Sequence, residues 1–147
     1  MSEAPSQLPP PPNPALARVL ATATYLAALI ALWGFTSLLL DRDVIVQSDA
    51  GPLLGPAMAL AACVATWLSL ARRGRMALWV RALASAVFAF AGMLLVGAVG
   101  YALSTGEPGW LLLFVANYAA SPFVIGAALL SGVTVLLAAA FTRQERQ

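Results

Sequence analysis

The chain has no lysine, no histidine and a single cysteine, and only 10% of its 147 residues are charged. Without histidine there can be neither a serine–histidine pair for intramembrane proteolysis nor an HExxH zinc helix, and no glycine-rich phosphate loop is present. One cysteine, Cys63, excludes intramolecular disulfides, CxxC redox chemistry and cysteine metal sites. It falls in the middle of an apolar stretch, where a free thiol serves as a small packing group. An average soluble domain is about a quarter charged; with 61% hydrophobic residues, this chain cannot be a water-soluble globule. The net charge of +2 does not point to nucleic acid, because apolar segments divide the arginines and prevent them from lining one phosphate groove. No catalytic residue, cofactor or metal site is expected.

What the chain does have is four long apolar stretches with its charges in the gaps between them. Hydrocarbon offers backbone amides no partner, so such stretches must be helices, each needing about 20 residues to cross. The expected fold is all-α: a polytopic membrane protein forming a four-transmembrane-helix bundle, with spans at about 19–40, 53–71, 79–103 and 122–142. Residues 1–17, rich in proline, read as a disordered or polyproline II tail on the cytoplasmic side, and 143–147 as a second short cytoplasmic tail. A cleavable signal is the competing reading of the first stretch, with Ser48 and Ala50 as small residues before a cut. The 22 uncharged residues of Val19 to Leu40 exceed the roughly 7 to 15 of a signal core, and the cut would lie too far downstream.

The final stretch, Trp110 to Phe141, runs 32 residues without a charge, about 48 Å as one helix against a hydrocarbon core of about 30 Å. Asn117, Tyr118, Ser121 and Pro122 interrupt it. We expect a span from about 122 onward, preceded by a segment, 110–120, that lies in the interface, extends the span beyond a kink, or dips back into the protein. The four interrupting residues are either a kink whose freed carbonyls are rebonded locally or the lining of a polar cavity, the kink being the ordinary outcome around intramembrane proline.

Arg18, Arg72, Arg73, Arg75, Arg81, Arg143 and Arg146 fall on one side of this layout, while Arg42 stands on the other among Asp41, Asp43 and Asp49. The positive-inside rule makes the arginine side cytoplasmic. Trp67 and Trp79 near one boundary, and Trp33, Tyr101 and Trp110 near the other, match the headgroup preference of amphipathic rings. Arg72, Arg73, Arg75 and Arg81 would also attract anionic lipid headgroups, at about 1 kcal/mol each. The three outer aspartates read as solvated charge rather than a cation site.

Small residues recur at helical spacing in three spans: Ala57, Ala61, Ala65 and Ser69; Ala89, Gly92 and Gly100; Ala127, Ser131 and Gly132. They allow close helix contact, within the bundle or in a homo-oligomer or larger membrane complex. No span carries an acidic residue, which argues against proton-coupled transport. A channel or carrier for an uncharged solute could still use Asn117, Tyr118, Ser121, Thr22 or Thr24. With its proline-rich leader, arginine-rich inner loop and short basic tail, the chain resembles uncharacterised four-span membrane proteins of high-GC actinobacteria. The resemblance implies a bacterial inner-membrane location and no functional residues. The expected role is structural or accessory, with the small oligomeric channel as the alternative.

Overall fold

A computed structural model describes residues 13–45, 51–72 and 77–144, with side chains described as far as Phe141. The tail up to residue 12, Asp49, Arg73, Arg75 and residues 145–147 lie outside the described residues, as does the side chain of Arg143. Five helices account for nearly all of the rest: α1 (Pro14–Leu40), α2 (Leu54–Ala71), α3 (Leu78–Thr105), α4 (Trp110–Tyr118) and α5 (Pro122–Gln144). No strand occurs among the described residues. Helices α1, α2 and α3, and α5 over Pro122–Phe141, are long and apolar enough to cross a membrane, so the fold is that of a candidate four-span protein.

Helix α1 begins within the segment expected to belong to the tail, so residues 14–17 are helical. The reason is local. Asn13 accepts a hydrogen bond from the Ala15 amide at 3.0 Å, capping the helix, and Pro14 occupies its first turn, where no amide hydrogen is needed and the ring presets φ. At the far end Asp41 closes α1 in the left-handed region, φ 47°, while the Arg42 amide bonds the Ser37 carbonyl and the Ser37 hydroxyl bonds the Arg42 carbonyl. Gly106, φ 74°, closes α3 in the same conformation without a side chain to crowd it.

The helices alternate in direction. Trp33 and Tyr25 of α1 meet Phe123 and Ala127 of α5 in reverse order, and Gly92 and Gly97 of α3 face Ala61 and Met58 of α2 in reverse order. Helix α3 packs on α2 and α5, α1 packs on those same two from the other side, and α2 touches α5 between them. Arg18 at the start of α1 therefore shares one end with Arg72 and Arg81, and its guanidinium stands 6.0 Å from the Trp67 ring. We call this the arginine end and the opposite one, carrying Glu107, the acidic end.

Helix α4 returns along α3. Trp110 meets Tyr101 edge-on with ring centres 5.7 Å apart, and Phe114 lies against both Tyr101 and Gly97, one turn deeper. The final apolar stretch is thus a broken crossing: α4 covers its acidic end, and α5 begins at the break and completes it. Proline explains the break, because Pro122 has no amide hydrogen for the Tyr118 carbonyl. The Ser121 amide takes that carbonyl instead, at 3.0 Å.

Lipid-facing residues are large and apolar: Leu38, Leu39 and Leu112 are each more than four-fifths exposed, a surface that water would not tolerate over this extent. Inside, contacts are close enough that glycine is required. A Cβ on Gly97 would lie 2.5 Å from a Phe114 ring carbon and 3.0 Å from the Met58 sulfur, and one on Gly132 would lie 3.2 Å from the Ala82 carbonyl oxygen. Gly97→Val should therefore lower stability by about 1 to 3 kcal/mol through overpacking. Gly34→Ala, where nothing lies within 4 Å, should be neutral or gain up to about 1 kcal/mol from helix propensity. Unfolding of the purified chain by titration with a denaturing detergent measures both; equal effects at the two positions would show that the α3–α4 contact is loose.

Candidate functional site

The residues singled out around the last apolar stretch do not converge. Tyr118 is buried and stacks on Phe114 with ring centres 4.2 Å apart, whereas Asn117 and Pro122 are exposed and Ser121 is half-buried. Thr24 is exposed on α1. At the Pro122 break the Tyr118 carbonyl is rebonded by the Ser121 backbone amide, at 3.0 Å. A groove of about 320 Å³ does open nearby, between Val99 and Leu103 of α3 and Leu111 of α4, but its walls are apolar.

The arginines split differently. Arg72 is exposed and its guanidinium stands 5.2 Å from the Phe88 ring. Arg81 is half-buried, and its Nε–H is enclosed with no hydrogen-bond partner among the described residues. No salt bridge involves either among the described residues.

The polar centre of the molecule lies elsewhere, on residues whose hydroxyls the sequence does not advertise. Thr66 of α2, Ser85 of α3 and Ser131 of α5 are each fully buried. Ser131 Oγ lies 2.7 Å from Ser85 Oγ and 2.8 Å from Thr66 Oγ1, and Thr66 donates to the Ala62 carbonyl one turn back, at 2.8 Å. One proton order satisfies all three: Ser85 donates to Ser131, Ser131 to Thr66, and Thr66 to the Ala62 carbonyl. Tyr25 of α1, also fully buried, donates its hydroxyl to the Ala127 carbonyl at 3.1 Å, with Thr66 and Cys63 beside it. Each long helix therefore sends one hydroxyl to the same depth of the bundle. Two turns along α1, Trp33 Nε1 donates to the Phe123 carbonyl at 3.1 Å.

The available signal was the isolation of these hydroxyls within otherwise apolar spans, since a lone Ser or Thr at mid-span usually bonds across helices. Ser131 was read only for its smallness. What the cluster offers chemically is a set of neutral donors and acceptors. No carboxylate or imidazole stands beside it to activate a hydroxyl, and no group of three or more His, Cys, Asp or Glu side chains gathers among the described residues.

The small-residue faces predicted in the three later spans are spent inside the bundle. Gly92 rests on Ala61, Gly132 on Ala82 and Ala86, and Ser131 lies within the hydroxyl cluster. Helix α1 differs. Its buried residues are Tyr25, Leu29 and Trp33, a single stripe, and on the opposite face Ala23, Ala27, Ala31 and Gly34 follow one another at helical spacing, all exposed.

The model of one family, described as Family of unknown function (DUF6121), matches residues 14–147, and the chain belongs to that family. No curated protein and no solved structure matches it.

If the Ser85–Ser131 bond is made in the membrane interior, a double-mutant cycle of Ser85→Ala and Ser131→Ala should give a coupling of about 0.6 kcal/mol, with about 1.7 as the upper bound for such pairs. Denaturing-detergent titration of the four proteins in the cycle reads it. Strict additivity would mean that the two hydroxyls do not bond to each other.

Proposed function

We propose that this family member is a multi-pass protein of the bacterial cytoplasmic membrane, with both termini in the cytoplasm, acting as a structural or accessory subunit rather than as a catalyst. Its task would be to pack in the bilayer against a second copy of itself or a larger membrane complex. The observation that supports this reading is the division of labour among the helices. The small-residue faces of α2, α3 and α5 take part in internal contacts at Ala61, Gly92, Ser131 and Gly132, while α1 keeps Ala23, Ala27, Ala31 and Gly34 on an outward face, all exposed. In lipid, where apolar burial drives association little, such a face is how one helix backbone approaches another.

Orientation in this proposal follows the arginine end, which the positive-inside rule assigns to the cytoplasm. There Arg72, Arg73, Arg75 and Arg81 would meet anionic headgroups, at about 1 kcal/mol per residue. Arg72 suits that role, because it is exposed and phosphate oxygens are good acceptors for a guanidinium. The alternative, a small channel for an uncharged solute, draws less support, because Asn117 and Thr24 are exposed, Ser121 is half-buried and Tyr118 is stacked on Phe114, while Thr22 alone of the set keeps a buried hydroxyl with no hydrogen-bond partner among the described residues.

Two measurements test the proposal. Reporter fusions in the 73–76 connection should be active only as cytoplasmic fusions; activity from the opposite side would reverse the orientation. In a Cys63→Ala background, Ala27→Cys and Ala31→Cys should cross-link under mild oxidation in native membranes, to a doubled mass if the partner is a second copy and to a different mass if it is another protein. Leu129→Cys, on an exposed position of α5, is the control. Adducts no more abundant at 27 and 31 than at 129 would remove the accessory reading.

A further inference from the structure

Helix α1 is attached to the rest of the molecule by different means from those that join the other helices to one another. Of its most apolar window 11% is buried, against 33% to 39% for the other three long helices. The apolar part of that contact discriminates little, since lipid tails solvate Leu29 about as well as a neighbouring helix does. What remains is packing by a few side chains, the Arg18 guanidinium beside the Trp67 ring, and two hydrogen bonds to α5, from Tyr25 to the Ala127 carbonyl and from Trp33 to the Phe123 carbonyl, with the Tyr25 hydroxyl also beside Thr66. Even the closest approach to a glycine on this side, at Gly126, is made by the end of the flexible Leu32 side chain.

The α2–α3–α5 unit is bound more tightly and is complete without α1. Backbone meets backbone at Gly132 and Ala82, and Gly97 seats Phe114 and Met58. The proton order from Ser85 through Ser131 and Thr66 to the Ala62 carbonyl closes on itself without Tyr25. The carbonyls of Phe123 and Ala127 lie within α5, so the tyrosine and tryptophan are additional donors to oxygens that a helix already occupies. Losing α1 would thus leave the Thr66 hydroxyl and the Phe123 and Ala127 carbonyls each with another partner.

We propose that α1 is a movable strap: it parts from α2 and α5 while those helices stay packed on α3, and its parting uncovers Thr66, Ser131 and Cys63 from the side. Tyr25 and Trp33 are the latches that set how often this happens. This rests on the attachment of the inner face of α1 and not on any partner of its outer face.

Cys63 serves only as a reporter, being 8% exposed and next to Tyr25. The experiment is the rate of its alkylation by N-ethylmaleimide in the purified full chain in mild detergent. Wild type should react slowly, and Tyr25→Phe combined with Trp33→Phe should react roughly five- to tenfold faster, the change expected for two membrane-interior hydrogen bonds. As a comparison, Ala89→Cys in a Cys63→Ala background places a thiol in the α3 core, where Ala89 is fully buried; there the latch substitutions should leave the rate unchanged. If both thiols accelerate together, the whole bundle loosens and there is no strap; if neither does, the latches do not hold α1. Should the double variant fail to fold, Trp33→Phe alone supports the same comparison, with an expected acceleration of roughly two- to threefold.

Discussion

Hydrocarbon accepts and donates no hydrogen bonds, and nearly every feature of this chain answers to that fact. It forces the backbone into helices, because only there does each amide find its carbonyl within the segment. It also accounts for how side-chain hydroxyls are treated. Thr36, Thr66, Ser69 and Thr134 each donate to a carbonyl one turn back, an arrangement that hides a polar group on the helix carrying it. Ser131 departs from this pattern. It has two hydroxyl neighbours on two other helices and so turns a local repair into a tie across the bundle. The break before Pro122 obeys the same demand, since the carbonyl that proline cannot serve is taken by the amide beside it.

Because lipid gives little reward for burying apolar surface, contact must come from shape. The helices approach where side chains are smallest, Gly92 on Ala61 and Gly132 on Ala82, and bulky residues are pushed outward. Large side chains are buried as well, Tyr25, Leu29, Met58 and Met93 among them, and Tyr101, Trp110, Phe114 and Tyr118 form a wedge of rings at the acidic end. Trp110 is fixed further by its indole N–H, which donates to the Glu107 carboxylate at 3.1 Å. Glycine at 97 makes room for that wedge.

The all-helical class and the number of candidate spans were legible because hydrophobicity over about 20 residues is an unambiguous signal. The limits failed where a residue has two meanings. Pro14 looks like part of a structureless tail, yet after a capping Asn13 it starts a helix. The polar residues near Pro122 read equally as a kink or a cavity lining because sequence proximity does not say which face each takes, and Asn117 is exposed where Tyr118 is buried. The hydroxyl cluster was hidden for the converse reason. Its members lie 19 and 46 residues apart along the chain, from Thr66 to Ser85 and from Ser85 to Ser131, and only the pairing of helices brings them together. Small-residue spacing was easy to see, but which face turns inward depends on neighbours that a single span does not reveal, and the outward face of α1 was missed.

Helix α4 has nine residues, about 14 Å of helix, less than half of the hydrocarbon thickness. Such a segment cannot settle across a bilayer by itself when the chain is threaded into the membrane during synthesis. Its rings find their seat against Tyr101 and Gly97 of α3. The shortest helix among the described residues is thus held in place by the shape of its neighbours and not by its own length.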